Sequence, residues 1–222
     1  SLIYFLEKNL WNEKINQTKD FKTNCKNFYF KKTYERIDMF LKKNKILNNQ
    51  KLIFKKIKLI RVKKILNNIN WVEILNGIPK FIHGDLQFDN ILKTSKKQFK
   101  LIDWRPTFGK SVTVGDIYYD YAKLLGGLYI NYDLVKQNKF LFKLENKKLR
   151  LEIPNRKNSK KLIDFFENYL KKKKIDLKKV RVITGLIFLN MSPLHHHPFD
   201  KLLFIYGKYF LQKNLKINYN DH

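Results

Sequence analysis

Apolar positions along this chain switch repeatedly between helical and extended spacing. Ile3, Leu6, Leu10 and Trp11 share one face of a short helix within residues 2–12, and the polar run from Asn16 to Asp20 ends it. From Phe21 to about Asn44, Cys25, Phe28, Tyr34, Ile37, Phe40 and Leu41 recur near helical spacing, which predicts one long amphipathic helix with a Lys-rich outer face. Asn48-Asn49-Gln50 breaks it. Residues 51–70 alternate around 57–62 and then turn helical towards Asn67. A helical turn from Trp71 to Leu75 stops at Asn76-Gly77, ahead of Pro79.

An apolar run then enters Phe81-Ile82-His83-Gly84-Asp85-Leu86-Gln87-Phe88-Asp89-Asn90-Ile91-Leu92. Asn90–Lys93 and Gln98–Ile102 flank Thr94-Ser95-Lys96-Lys97 as a hairpin, and a loop follows from Trp104 to Val114. Gly115-Asp116 starts a helix carrying Ile117, Tyr121, Leu124, Leu125 and Leu128, with Asp116 and Asp120 four apart on one face. Phe140–Leu144 and Leu149–Ile153 alternate around Asn146-Lys147-Lys148 as a second hairpin. Lys160–Leu170 reads as a helix with Leu162, Phe165, Phe166 and Tyr169 inward. Leu177–Met191 is apolar enough for a buried helix, with Gly185 as a close-packing point. A loop over 192–198 leads to a last helix from Phe199 to Leu215. The expected class is α+β, mainly α, in a single domain over 1–222.

Composition adds a charge question. The net charge is +28, which suits a polyanion partner, but Arg supplies only six of the 47 basic residues and the lysines are scattered. Nucleic-acid readers rely on Arg for bidentate contacts, so no specific nucleic acid is expected and biased coding explains most of the lysine. One cysteine, Cys25, excludes a disulfide framework and fits a reducing, cytoplasmic setting. No apolar run is long enough for a membrane span.

The central stretch carries the chemistry. Phosphoryl transfer needs a carboxylate to orient and deprotonate a hydroxyl, oxygen ligands for magnesium, and a scaffold that keeps both in line with the nucleotide. Asp85, on a loop after a strand, suits the base role. Asn90 and Asp103, at the two ends of the hairpin, offer a neutral and an anionic oxygen to a hard cation. His83 is expected to pack beneath the loop and bond its backbone.

His83-Gly84-Asp85-Leu86 followed by Asn90, with Ile102-Asp103-Trp104 beyond it, resembles the aminoglycoside phosphotransferase and choline kinase family, which has a protein-kinase-like fold. The resemblance implies Asp85 as catalytic base, Asn90 and Asp103 as metal ligands, and Asp116 as a brace for the catalytic loop, with Mg2+ and ATP as cofactors. The acceptor would be a hydroxyl of a sugar, amino alcohol or related metabolite, for example in cell-envelope polysaccharide metabolism. The chain would supply a C-lobe with short β-hairpins, its catalytic loop at 81–92 and its metal-binding hairpin end at 101–104. Departures from protein kinases point to small-molecule substrates: Gly84 replaces Arg, Gln87 replaces Lys, and Trp104-Arg105 replaces Phe-Gly.

Ahead of residue 81 the one glycine is Gly77, and no strand there carries a typical nucleotide-binding lysine. The expectation is an N-lobe largely absent through N-terminal truncation, and a fragment inactive or weak in ATP binding on its own. The alternative is a noncatalytic kinase-like scaffold or binding protein. Arg105 is a candidate contact for a phosphate or an acidic acceptor, or else a partner of Asp116 or Asp120. His195, in His195-His196-His197, is a candidate for the acceptor pocket; a metal site or plain structure are the other readings of this run.

Overall fold

Residues 1–45, 47, 52–96, 98–112, 114–145 and 148–217 are described by a computed structural model. They are mainly helical, with small antiparallel sheets of two strands each. Among them no helix is long and apolar enough to cross a membrane. The breaks expected at Asn48-Asn49-Gln50, at Asn146-Lys147 and at Lys97 lie outside the described residues.

Helix α1 (Leu2–Asn9) is capped by the Ser1 hydroxyl and buries Leu6, with Leu10 and Trp11 buried just beyond it. Thr18 accepts the Phe21 amide at 3.1 Å and caps α2 (Lys19–Cys25). The single long helix expected here is a continuous rod with an insertion. A π-helical turn over Lys26–Lys31 joins α2 to α3 (Lys32–Lys43). Wider turns of this kind re-aim side chains and occur often at functional sites. Cys25 is fully buried, and burial pushes its thiol pKa up.

Strands β1 (Ile53–Phe54) and β2 (Ile57–Lys58) form a tight hairpin whose two central residues, Lys55 and Lys56, both have positive φ. Helices α4 (Val62–Asn67) and α5 (Trp71–Leu75) follow, so the extended-then-helical pattern holds. Strand β3 (Pro79–Phe81) pairs antiparallel with β6 (Val114–Asp116), with Pro79 opposite Asp116. Gly115 and Asp116 are therefore the end of a strand and not the first turn of the helix. Asp116 caps α6 (Ile117–Tyr129) by accepting the Tyr118 amide at 3.2 Å. Between β3 and β6 lies the hairpin of β4 (Ile91–Lys93) and β5 (Phe99–Leu101).

Helix α7 (Tyr132–Lys136) precedes a hairpin of β7 (Leu141–Glu145) and β8 (Lys148–Glu152). In α8 (Ser159–Lys172) the inward face differs from the expected one: Phe166, Glu167 and Leu170 are buried, whereas Leu162 and Phe165 are exposed. Glu167 decides the rotation by a bidentate pair with Arg181, at 2.9 and 2.6 Å. Helix α9 (Leu177–Met191) is the central element, packed on α3, α6 and α10 (Phe199–Asn214). Gly185 allows α9 and α10 to approach, since a Cβ there would lie 2.6 Å from Leu211 Cγ.

Candidate functional site

The loop leaving β3 turns at Gly84, whose φ is +76° and whose missing Cβ would lie 2.7 Å from the Arg105 Cβ. Both facts require glycine there. Helix α6 holds the loop from below. Asp120 is fully buried and accepts the backbone N–H of His83 at 2.9 Å and of Gly84 at 2.8 Å, with Trp11 Nε1 as a third donor at 3.1 Å. Burial pushes the Asp120 carboxyl up to about 6, while these three donors pull the other way.

The brace expected of Asp116 therefore belongs to Asp120. The hydrogen bonds of Asp116 run to Ile78 N, Tyr118 N and Tyr29 OH, tying the start of β3 and the head of α6 to the α2–α3 rod. One helical turn separates the two carboxylates, which is why sequence spacing alone could not tell them apart.

His83 is fully buried with its ring between loop and hairpin. Nδ1 accepts the Asp85 amide at 3.2 Å, so Nε2 carries the proton and donates to Ile102 O at 2.9 Å. Burial lowers its pKa, and the Trp104 ring packs against it at a tilt, 4.7 Å between centroids. Asn90 donates its amide to Asp85 O at 2.9 Å and to Asp85 Oδ2 at 3.3 Å. The Asn90 backbone carbonyl accepts the Ile102 backbone amide at 3.0 Å. Asp103, the next residue, is exposed and adopts a left-handed φ of 55°. The hairpin thus brings the backbone at Asn90 within one residue of Asp103.

Lys123 completes this arrangement and went unnoticed in the sequence. It is 7% exposed, and its Nζ lies 2.5 Å from Asp85 Oδ1. The two Asp85 oxygens are thereby claimed by different partners, Lys123 and Asn90. A signal did exist: Asp116, Asp120, Lys123 and Gly127 follow one another at helical spacing, and Lys123 is the one basic residue of a mostly apolar helix. At Gly127 a Cβ would meet the Phe88 ring at 2.8 Å, so the same face accommodates the far side of the loop.

Arg105 braces the loop directly. Its amide donates to His83 O at 3.0 Å, Nε to Gly84 O at 2.9 Å and Nη2 to Tyr119 OH at 3.4 Å, while the guanidinium lies over Phe28 and Tyr119. His195 is half-buried with its ring edge-on to Phe199 at 5.0 Å, and burial followed by the nearby charges of His196 and Lys123 lowers its pKa. Among the described residues no three His, Cys, Asp or Glu side chains gather around a common point. Asn90 and Asp103 offer two hard oxygens, a donor set that suits an ion keeping most of its waters and phosphate ligands.

Comparison of the chain with protein-family models, with curated proteins and with solved structures gives no match.

Proposed function

We propose that this chain carries the transfer loop of a magnesium- and ATP-dependent small-molecule phosphotransferase, acting on a hydroxyl acceptor. The observation that carries the reading is the Asp85 carboxylate, fixed at one oxygen by Lys123 and at the other by the Asn90 amide, with Asp103 presented from the adjoining hairpin end. The resemblance of His83–Asn90 and Ile102–Trp104 to the aminoglycoside phosphotransferase and choline kinase family supports it.

In this reading Asp85 receives the proton of the acceptor hydroxyl as that oxygen forms its bond to the terminal phosphorus. The bond from phosphorus to the leaving nucleotide oxygen breaks, and ADP departs with the electron pair. Asn90 and Asp103 would hold magnesium, which neutralises phosphate charge when bound. His83, Arg105 and Asp120 are positioning residues, acting through the backbone of residues 83–85.

The test is an acceptor screen read by ADP release. Asp85→Asn should lower kcat by about 10²-fold or more for every accepted substrate, the usual contribution of a general base. Asp103→Ala should raise the magnesium requirement or abolish turnover. Full wild-type rates in Asp85→Asn would rule out this mechanism.

One observation favours a second reading, a noncatalytic scaffold. Among the described residues ahead of β3, the only sheet is the two-stranded β1–β2 hairpin, and α3 packs on α9. Calorimetry separates the two: no binding of MgATP together with no turnover supports the scaffold.

A further inference from the structure

Beside Asp85 lies a cavity of about 130 Å3, several times the share of one liquid water. Lys32 and Arg36 of α3, Arg105, and Lys123 of α6 all line it, Asn190 stands on the α9 side, and no carboxylate is among its lining residues. Four basic side chains converge on this small space, and the carboxylate beside it, Asp85, pairs among them with Lys123 alone.

Two of the four are accounted for. Lys123 pairs with Asp85, and Arg105 bonds Gly84 O and Tyr119 OH. Arg36 is different: its Nη1 is buried and has no hydrogen-bond partner. Lys32 places its ammonium 4.0 Å over the Phe28 ring, and burial, then Arg105, Arg36 and Lys123, lower its pKa to about 7. On α9, Asn190 Oδ1 is also buried without a partner, its Nδ2 donating to Thr33 Oγ1 of α3 at 3.0 Å. Arg36 and Asn190, both lining this cavity, thus each carry a buried polar atom without a partner. They complement a ligand that has both an oxyanion and a hydroxyl.

We propose that this cavity is an oxyanion subsite for the acceptor. The molecule phosphorylated at Asp85 is a small hydroxylated anion, a phosphate monoester or a carboxylate, whose charged group sits among Lys32, Arg36 and Arg105. The capacity to hold an oxyanion stands on the cavity alone, whereas its assignment to the acceptor rests on the phosphotransferase reading. The π-helical turn at Lys26–Lys31 belongs to this site as well. Phe28 and Tyr29 within it and Lys32 and Arg36 beyond it all line the cavity.

The experiment is titration calorimetry on the full chain in about 200 mM NaCl, where nonspecific ion attraction is largely suppressed. Inorganic phosphate and glycerate are the probes and glycerol is the neutral control. At least one oxyanion should bind one to one and glycerol should not. Arg36→Gln and Lys32→Gln should each weaken that binding about tenfold or more, the loss of one charge-assisted hydrogen bond. Lys171→Gln, which removes the same charge from the exposed end of α8, should change it less than about twofold. Circular dichroism checks folding, and if Arg36→Gln does not fold, Lys32→Gln decides. Equal weakening in all three variants, or no saturable binding, overturns the subsite. Displacement of phosphate by a nonhydrolysable magnesium–ATP analogue would assign the cavity to the nucleotide and overturn the acceptor assignment. Intact oxyanion binding with no acceptor turned over also overturns that assignment, but through the phosphotransferase reading and not through the cavity.

Discussion

Asp120 concentrates several tasks in one side chain. Its Oδ2 serves both His83 N and Trp11 Nε1, and its Oδ1 serves Gly84 N. In Asp120→Asn either orientation of the amide turns an N–H towards one of these donors, leaving buried groups unsatisfied at a cost of about 1–3 kcal/mol. The urea midpoint at neutral pH should fall accordingly. The pH dependence has a definite sign. The folded carboxyl titrates near 6 and the ordinary value is 3.8, so between those values the folded state holds a proton the unfolded state has lost. Asp120's contribution to stability is therefore greatest on the acid side and declines as pH rises through 6, by up to about 3 kcal/mol. The gap between wild type and Asp120→Asn should be wider near pH 4.5 than near pH 7. Equal stability of the two proteins at both values would contradict the assigned role.

At the scale of elements, α6 shows what could be read from the chain and what could not. The loop, its hairpin and the helix were legible because each is contiguous, and its apolar spacing and turn residues agree over a dozen positions or fewer. Lys123 was hidden by its neighbours, since a lysine in a lysine-rich chain carries no signal until its helix proves buried. The cavity was hidden by distance: Lys32 and Arg36 meet Arg105 and Lys123 only after α3 docks on α9. The buried face of α8 is not legible in the sequence because apolar residues at 162, 163, 165, 166, 169 and 170 permit two rotations, and Arg181 on another helix chooses between them. Adjacent glycines test the geometry of α6. A Cβ at Gly126 would make ordinary contact with Phe188 at 3.5 Å, so Gly126→Ala should stabilise by about 0.4–1 kcal/mol through lost chain entropy. A Cβ at Gly127 would press on the Phe88 ring at 2.8 Å, and overpacking of about 1–3 kcal/mol should outweigh the same gain. Gly126→Ala should raise Tm and Gly127→Ala lower it; the same sign for both would show that α6 does not sit on the loop in this way.

Over the whole molecule the dominant quantity is the charge of +28. Folding brings like charges closer than they stand in the expanded chain, so self-repulsion opposes the native state and salt should relieve it. The surface pairs that salt would weaken, such as Lys136–Asp89 at 2.8 Å with a mostly exposed lysine, contribute little. Raising NaCl from about 10 mM to about 300 mM shortens the screening length from about 30 Å to under 10 Å, and Tm should rise. Phosphate at matched ionic strength should raise it further, because it would bind the native cavity and not the unfolded chain. Arg36→Gln separates that contribution from the general effect of the salt. The variant loses one charge of many, so its rise with NaCl should match wild type, while the extra rise with phosphate should shrink. A phosphate increment as large in Arg36→Gln as in wild type would come from outside the cavity, and the cavity beside Asp85 would then have no special claim on an anion.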